Sequence, residues 1–303
     1  MNPTRIPIEE KESFRWLENL KQSSVLLAHP ENCVHIGDQE SDIYELFCLA
    51  DQLGTNFLIR SSRQDHTIHD VMKNPHVKGT HRIKVRNEKG NLSEVSIKVK
   101  YRHIRIFPPI GKKKKYPELN LTVIHAQEKG TPKNRKRIDW KLITNLSVKT
   151  NLDAIQKLQW YALRWKIEVF HKILKSGCKV KESKLRTAER LVNLISIYCI
   201  LSWRIFWMTM MNRSTNDAPR DFGLTQTEIQ VLDELIKDKS YDQEQNKMLT
   251  NYITKIARLG GYLARSSDPP PGNMVFWRGF SRLTDITLGL VLGKMLVSNC
   301  KVR

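Results

Sequence analysis

The sequence predicts an α/β fold followed by a helical carboxy-terminal region, and three stretches of the chain support this prediction. Residues 34–60 contain a strand-like segment, a helix-like segment and a second strand-like segment in succession, which is the β-α-β order of an α/β core. Residues 80–145 show the two-residue alternation of paired strands. After residue 151 the apolar residues recur at helical spacing.

The β-α-β stretch carries a carboxylate at the end of its first strand. NCVHIGD predicts a strand that ends at Asp38, and SDIYELFCLADQLG predicts a helix over residues 41–54 with a glycine stop. NFLIRSS then predicts the second strand, and residues 8–21 predict a short helix before the first. The junction of a strand with the next helix is a usual site for metal-binding acids.

The next segment predicts a long β-hairpin with two unlike faces. HRIKVR and EVSIKVKYRHIRI alternate strictly around the turn NEKGN, and LNLTVIHA and DWKLIT extend the series. The apolar face carries Ile83, Val85, Val95, Ile97 and Val99, and the basic face carries Arg82, Lys84, Arg86, Lys98 and Lys100. The first face suits a core, and the second suits a negatively charged partner.

Helices are predicted over residues 151–177 and 184–212. Residues 213–223 have the composition of a linker, and the region from 224 onward predicts a separate helical domain. The apolar stretch 192–211 is long enough for a membrane span. Because Arg204 inside this stretch would be costly in lipid, the sequence favours a buried core helix instead.

The charge balance indicates a polyanionic partner. The chain has 51 Lys and Arg residues against 31 Asp and Glu residues, which gives a net charge of +20. Such a charge attracts polyanions, of which nucleic acid is the most common, although a solvated basic surface is the alternative interpretation. Five scattered cysteines without a CxxC pair predict neither a disulfide framework nor a zinc ribbon, and they fit a reducing, cytoplasmic location.

The segment WYALRWKIEVFHKILKSG contains a single acid among several cations. If it forms one helix, its side chains at 100° per residue give a stripe of Tyr161, Arg164, Glu168, Lys172 and Lys175 on one side. One interpretation is a surface ion pair between Arg164 and Glu168. The other is that Glu168 binds a divalent metal together with Asp38, while the flanking cations hold a nucleic-acid backbone.

These residues resemble a known family. The spacing Y-x2-R-x3-E-x6-K of Tyr161, Arg164, Glu168 and Lys175 resembles the YREK signature of bacterial insertion-sequence transposases of the DDE type. GDQESDIYELF, with Asp38, is similar to the second-Asp motif of that family. Arg60 in FLIRSS and Trp140 in IDWKLITN agree with it in position, and ITKIARLGGYL and FWRGFSRL resemble its dimerisation domain.

The resemblance implies an RNase H-like core, incomplete at its amino terminus, with a β-strand insertion and a helical carboxy-terminal domain. The implied domains are a partial core at 1–63, the insertion at 64–148, core helices at 149–212 and a dimerisation domain at 224–303. The implied partners are double-stranded DNA, as transposon ends and target, and a second copy or a full-length copy in a mixed dimer. No membrane is implied.

The resemblance also implies site residues and a chemistry. Asp38 and Glu168 would bind Mg²⁺ or Mn²⁺ for phosphodiester hydrolysis and strand transfer. The implied DNA contacts are Tyr161, Arg164, Lys172, Lys175 and Arg60. Trp140 would stack on an extruded base, for which the alternative is core packing.

The chain departs from the family before Asp38, where the first catalytic Asp is expected on an earlier strand. The only acids there are Glu9, Glu10, Glu12, Glu18 and Glu31. We therefore expect a truncated polypeptide that lacks the DNA-recognition domain and is inactive alone, and we expect Asp42 to cap the following helix. The alternatives are a non-catalytic fragment that inhibits a full-length transposase, a generic nucleic-acid-binding module, and an unstable product with an unpaired sheet edge.

Overall fold

The computed structural model describes residues 6–62, 72, 76–86, 92–132, 135–177, 180–212, 218–237 and 248–300. The chain forms two compact units, Met1–Arg164 and Trp165–Arg303, and each is described by itself. The predicted turn at residues 87–91 and the first part of the predicted linker, residues 213–217, lie outside the described residues. The predicted domain boundaries near residues 63 and 148 remain predictions.

The first unit is built on one six-stranded mixed sheet. Its strands are β1 (Val34–Gly37), β2 (Asn56–Arg60), β3 (Gly79–Arg86), β4 (Leu92–Ile106), β5 (Leu119–Glu128) and β6 (Asp139–Thr144), in the order β1-β2-β6-β5-β4-β3. β1 and β2 are parallel, and every other neighbouring pair is antiparallel. Parallel strands need a crossover, which contains helix α2 (Tyr44–Gln52), so the predicted β-α-β stretch is confirmed.

The strands of the predicted insertion belong to the same sheet as the strands before it. β2 pairs with β6 through the register Leu58↔Thr144 and Arg60↔Leu142. Beyond the strand, the side chain of Asn145 accepts a hydrogen bond from the backbone N–H of Phe57 at 3.0 Å and donates to the carbonyl of Thr55 at 2.9 Å. This amide therefore continues the ladder past the last residue of β6.

The two faces of the long hairpin differ as predicted. The register pairs Ile83 with Val95 and places Ile97 and Val99 on the same face, where they pack in a core cluster with Leu58. Helix α3 (Asn151–Ala162) covers this face with Ala154, Leu158 and Tyr161. The N-cap residue of α3 is Thr150, which forms a capping box with Asp153. The cations predicted for the other face alternate with these apolar residues.

A second cluster lies on the opposite face of the sheet. Helix α1 (Phe14–Leu26) and α2 pack there against Phe57, Ile59 and Val123. The first helix begins later than predicted, because Ile8 is buried in a separate 3-10 turn. Tyr44 of α2 donates a hydrogen bond to the carbonyl of Pro117 at 2.7 Å, which fastens the lysine-rich connection 111–117 to the unit.

Tyr44→Phe should lower the free energy of unfolding by about 1–2 kcal/mol, because the carbonyl of Pro117 loses its donor. Burial raises the pKa of Tyr44 to about 12, above its unfolded value near 10. The stabilising contribution of this group is therefore fully present below about pH 10 and is lost as the pH rises through about 12. Urea denaturation between pH 8 and 12 measures the difference between the two proteins, which should shrink over this window.

The matched control for this experiment is Tyr116→Phe. The ring of Tyr116 is half-buried, and its centroid lies 6.5 Å from that of the Tyr44 ring. A difference between wild type and Tyr44→Phe that stays constant up to pH 12 would contradict the assignment.

The described part of the second unit is helical. Its helices are α4 (Trp165–Ser176), α5 (Ala188–Met211), α6 (Gln226–Leu235), α7 (Leu249–Leu259) and α8 (Asn273–Cys300). They share a core that includes Ile173, Ile205, Leu232, Ile256 and Phe276. The predicted helical region from 224 onward is confirmed within the described residues, although the same compact unit also contains α4 and α5.

Two glycines allow α7 and α8 to pack closely. A Cβ atom on Gly279 would lie 1.9 Å from the carbonyl oxygen of Ile256, and one on Gly260 would lie 2.0 Å from that of Val275. Each glycine therefore faces the backbone of the other segment. The glycines in ARLGG and WRGF are a packing requirement of this helix pair.

Helix α5 differs from the predicted buried core helix. Its second half is buried at Ile205, Phe206 and Met208, and Arg204 donates to Glu228 at 2.9 Å. Its first half exposes apolar side chains, including Ile200 at 69%. Among the described helices, Ala188–Met211 is the one long and apolar enough to cross a membrane, with 22% of its most apolar window buried. The expectation of a buried helix is therefore wrong for the first half.

Candidate functional site

The first unit gathers several of the predicted site residues at one edge of the sheet. Asp38 follows the last residue of β1, and Arg60 is the last residue of β2. Because these strands are parallel, both residues lie at the same edge. β6 runs in the opposite direction, so its second residue, Trp140, lies at that edge as well.

Asp38 is held in place by the turn that follows it. Its Oδ1 accepts a hydrogen bond from the backbone N–H of Glu40 at 3.0 Å, and its carbonyl accepts from the hydroxyl of Ser41 at 2.8 Å. A Cβ atom on Gly37 would lie 1.9 Å from the Oγ of Ser41, so this close turn requires glycine. The Asp38 carboxylate keeps 40% of its surface exposed.

The end of α3 brings a tyrosine and an arginine to the same edge. Tyr161 is 5% exposed, and its ring meets that of Trp140 edge-to-face with centroids 5.3 Å apart. Burial raises the pKa of Tyr161, while the charges of Arg164 and Arg60 and a hydrogen bond with Arg164 oppose the rise. Tyr161 is therefore a neutral hydroxyl among cations, suited to hydrogen bonding.

One arginine lies beside the Asp38 carboxylate, and a second arginine lies at the same edge of the sheet. An Arg164 guanidinium nitrogen lies 3.7 Å from Oδ2 of Asp38. Arg60 donates to the carbonyl of Asp139 at 3.4 Å, which points its guanidinium along the start of β6. The edge thus combines one carboxylate with two arginines and a buried phenol, an arrangement that can bind both a phosphate oxygen and a cation.

The predicted single helix through the signature is wrong. α3 ends at Ala162 and α4 begins at Trp165, and the backbone N–H groups of Leu163 and Arg164 bond to the carbonyls of Trp160 and Tyr161. Each of these N–H groups bonds to the carbonyl three residues earlier, and not four residues earlier as in an α-helix. These bonds interrupt the α-helix between the two halves of the signature. The signature therefore spans two helices and not the single continuous helix that was predicted.

The remaining signature residues lie in the second unit. Glu168, Lys172 and Lys175 are exposed on α4, while Val169 and Ile173 of the same helix pack against its core. Tyr161, Arg164 and Asp38 belong to the first unit. The structure therefore brings together Asp38, Arg60, Trp140, Tyr161 and Arg164 within the first unit, and Glu168, Lys172 and Lys175 belong to the second unit.

Asp42 has a different role from the predicted helix cap. It precedes Ile43, which is the capping residue of α2 and makes no side-chain cap bond. Asp42 is buried and accepts hydrogen bonds from the hydroxyl of Ser61 at 3.1 Å and the N–H of Ser62 at 2.6 Å. It therefore ties the segment after β1 to the segment after β2, which fixes Asp38 relative to Arg60. Sequence spacing carries no signal for such a tertiary contact.

Trp140 has the packing role that was the alternative to base stacking. Its half-buried ring packs against the cluster formed by Leu142, Leu158 and Tyr161. The prediction that it stacks on a base remains a prediction.

The donor atoms suit a hard divalent cation, because Mg²⁺ and Mn²⁺ prefer carboxylate oxygens. Asp38 and Glu168 are both accessible carboxylates. Within the described ranges, no group of three or more His, Cys, Asp or Glu side chains is arranged to hold a metal ion.

A comparison with known protein families identifies the family of this chain. A family model described as transposase DDE domain matches residues 16–204, which is more than half of the chain. The chain belongs to the DDE transposases. The DDE domain covers all strands of the sheet, the site edge, α4 and most of α5. Membership supports a role in transposition and a DNA substrate, and DDE transposases typically use a divalent metal.

Proposed function

We propose that this chain is a transposase polypeptide of the YREK subtype, with an RNase H-like core of the type that serves phosphodiester hydrolysis at transposon ends and strand transfer into target DNA. The observation that carries the proposal is the arrangement at the sheet edge. A carboxylate, two arginines and a buried tyrosine from β1, β2 and α3 lie together there. This arrangement agrees with the family match over residues 16–204.

Each residue at the edge has a chemical task in this proposal. Asp38 and Glu168 supply carboxylate ligands to Mg²⁺ or Mn²⁺, which when bound polarises the phosphodiester and lowers the pKa of an attacking water. Arg60 and Arg164 hold phosphate oxygens through charge-assisted hydrogen bonds. Tyr161 donates its hydroxyl to the DNA backbone, and its high pKa keeps that proton in place.

Three further side chains would contact DNA in this proposal. Lys172 and Lys175 are exposed on α4 and would bind phosphates next to Glu168. Trp140, held edge-to-face against Tyr161, would offer one face to an extruded base.

Metal binding tests this proposal directly. Calorimetric titration with Mn²⁺ should show binding that Asp38→Asn and Glu168→Gln each weaken by about tenfold or more, because either change removes an anionic ligand. Glu40→Gln is the matched control, since its exposed carboxylate pairs with Arg15 at 3.0 Å only two residues from Asp38. Equal Mn²⁺ affinity in all four proteins would reject the assigned ligands.

We further propose that the chain by itself cleaves DNA poorly. Two-metal hydrolysis needs several carboxylates that converge from separate elements, and the described residues provide no group of three potential ligands. Supercoiled plasmid incubated with the purified chain and Mg²⁺ should therefore remain unnicked. Nicking that Asp38→Asn abolishes would overturn the expected inactivity, whereas nicking that survives this substitution would indicate a contaminating nuclease.

The second half of α8 supports a second role as a dimerising fragment. The first half of this helix is buried through Phe276, Phe280 and Leu283. From Ile286 onward the described side chains include exposed apolar residues, with Leu288 at 57% and Leu296 at 68%. Exposed apolar surface of this kind marks an interaction site.

The spacing of two glycines on α8 suggests that a second copy of the same helix packs against this exposed apolar surface. Gly289 and Gly293 are four residues apart, and a Cβ atom on either would meet nothing within 4 Å. Small residues at this spacing let two helix backbones approach closely. We propose that the chain pairs through α8 with itself or with a full-length transposase, which it would then inhibit as a mixed dimer.

Leu288→Lys with Leu292→Lys should convert a dimer into a monomer, because each lysine would place a charge in the apolar contact. Light scattering after gel filtration measures the mass directly. The control is Ile110→Lys with Leu152→Lys, which changes two exposed apolar residues of the first unit. A wild-type chain that is monomeric at all concentrations, or undiminished transposition of an intact element on co-expression, would contradict this role.

A further inference from the structure

We propose that the basic side of the hairpin strands binds the phosphate backbone of double-stranded DNA, as a second DNA surface distinct from the site edge. This surface, called the basic sheet face, consists of Arg82, Lys98, Lys100, Arg102, His125 and Lys141. The inference rests on the proposed function, because it takes DNA as the substrate. It adds a binding site that the signature residues do not include.

Strand register places these side chains on one face. Lys100 of β4 lies opposite His125 of β5, and His125 lies opposite Lys141 of β6. Lys98, Lys100 and Arg102 alternate along β4 and so point the same way. Lys100, His125 and Lys141 therefore form a row across three strands. Lys98, Lys100 and Arg102 form a column along β4.

The dimensions of the basic sheet face suit a duplex. Four adjacent strands span about 14 Å, and the five residues from Lys98 to Arg102 span about 13 Å. About 13 Å of duplex axis carries about eight phosphates on its two strands. Several cations of this face can therefore contact phosphates at the same time.

The basic sheet face is accessible and carries an excess of positive charge. Arg82 is 76% exposed in its side chain, Lys98 and Arg102 are exposed, and Lys100 and Lys141 are half-buried. Among the described residues of these strands, two carboxylates lie on the same side: Glu94 lies 3.6 Å from Arg82, and Asp139 bonds to His125 at 2.6 Å. Five permanently charged cations thus face two acids, and this imbalance attracts a polyanion.

The neighbouring residues favour a duplex backbone over single strands. The polar neighbours on this face include Thr80, Ser96 and Gln127, which can hydrogen-bond phosphate oxygens. The aromatic residues Tyr101 and Trp140 of the same strands point to the opposite face, where they pack against the α3 cluster. Single-stranded nucleic acid is usually held by aromatic stacking, which the described residues of this face do not offer.

The basic sheet face is connected to the site edge through β6. Trp140 lies at the site edge and points to the α3 face, whereas Lys141 points to the basic side, because successive residues of a strand alternate. Arg60 of the site edge bonds to the carbonyl of Asp139, whose side chain lies on the basic side. DNA that passes the site edge can therefore continue across β6 onto these cations.

The salt dependence of DNA binding by the full chain tests the proposal. In the wild type, the logarithm of the duplex binding constant should fall steeply with the logarithm of the salt concentration. The triple variant Lys98→Gln, Lys100→Gln, Arg102→Gln should show a slope smaller by about two to three, since each lost phosphate contact removes about 0.9. The control Lys21→Gln, Lys149→Gln, Arg265→Gln removes the same charge from exposed positions elsewhere and should keep the wild-type slope.

A second measurement uses the wild-type protein, so its result does not depend on whether the triple variant folds correctly. Saturating duplex DNA should protect Lys98, Lys100 and Lys141 from acetylation, relative to Lys21 and Lys149, as measured by mass spectrometry. Stronger protection by single-stranded RNA of equal length would overturn the assignment to duplex DNA.

The two proposals fail in different ways. A wild-type chain that does not bind duplex DNA would overturn both the proposed function and this inference. If the wild type binds DNA but the triple variant matches the control and the lysines stay reactive, the inference alone is overturned.

Discussion

The first unit depends on the pairing of β2 with β6, because this contact joins segments that are far apart along the chain. Closing so long a loop costs conformational entropy, although the cost grows only slowly with loop length. Burial of Leu58, Leu142 and Ile143 offsets it, and the two hydrogen bonds of Asn145 extend the ladder beyond the strand. Without this pairing, Arg60 would lose its position beside Trp140, and the hairpin strands would lose their attachment to the Asp38 strand.

One strand, β6, serves both surfaces of the sheet. Trp140 and Leu142 close the core under α3, and Asp139 and Lys141 extend the cationic side. The buried Asp42 acts in the same way at the neighbouring strand ends, since it fixes the segment after β1 to the segment after β2. The positions of the functional side chains are thus determined by strand pairing and a few buried polar contacts.

The sequence predicted those parts of the molecule that local patterns determine. The strands before Asp38 and up to Arg60 follow from short apolar runs with clear turn signals, and the two faces of the hairpin follow from strict alternation. The family match confirms a DDE transposase, and the geometry brings five of the eight predicted site residues to one edge.

Other features depend on tertiary contacts that no local pattern encodes. The break at Leu163 and Arg164 contains neither glycine nor proline, so helical periodicity ran through it unchanged. Helical periodicity identifies an apolar face but not what covers it, and Trp165 and Trp203 are 44% and 57% exposed. Asp42 resembled a cap because acids favour that position, yet its oxygens bond to a distant strand end.

The glycine pair at the crossing of α7 and α8 has a consequence for how this helical unit can change over time. Any side chain at Gly260 or Gly279 would collide with a carbonyl oxygen of the other segment, so neither position can accept a larger residue unless the helices separate. Such separation would also pull apart the aromatic and aliphatic residues packed beneath the crossing. Amino-acid substitutions in this region are therefore confined to the solvent-facing positions, and the two glycines should be retained together during evolution.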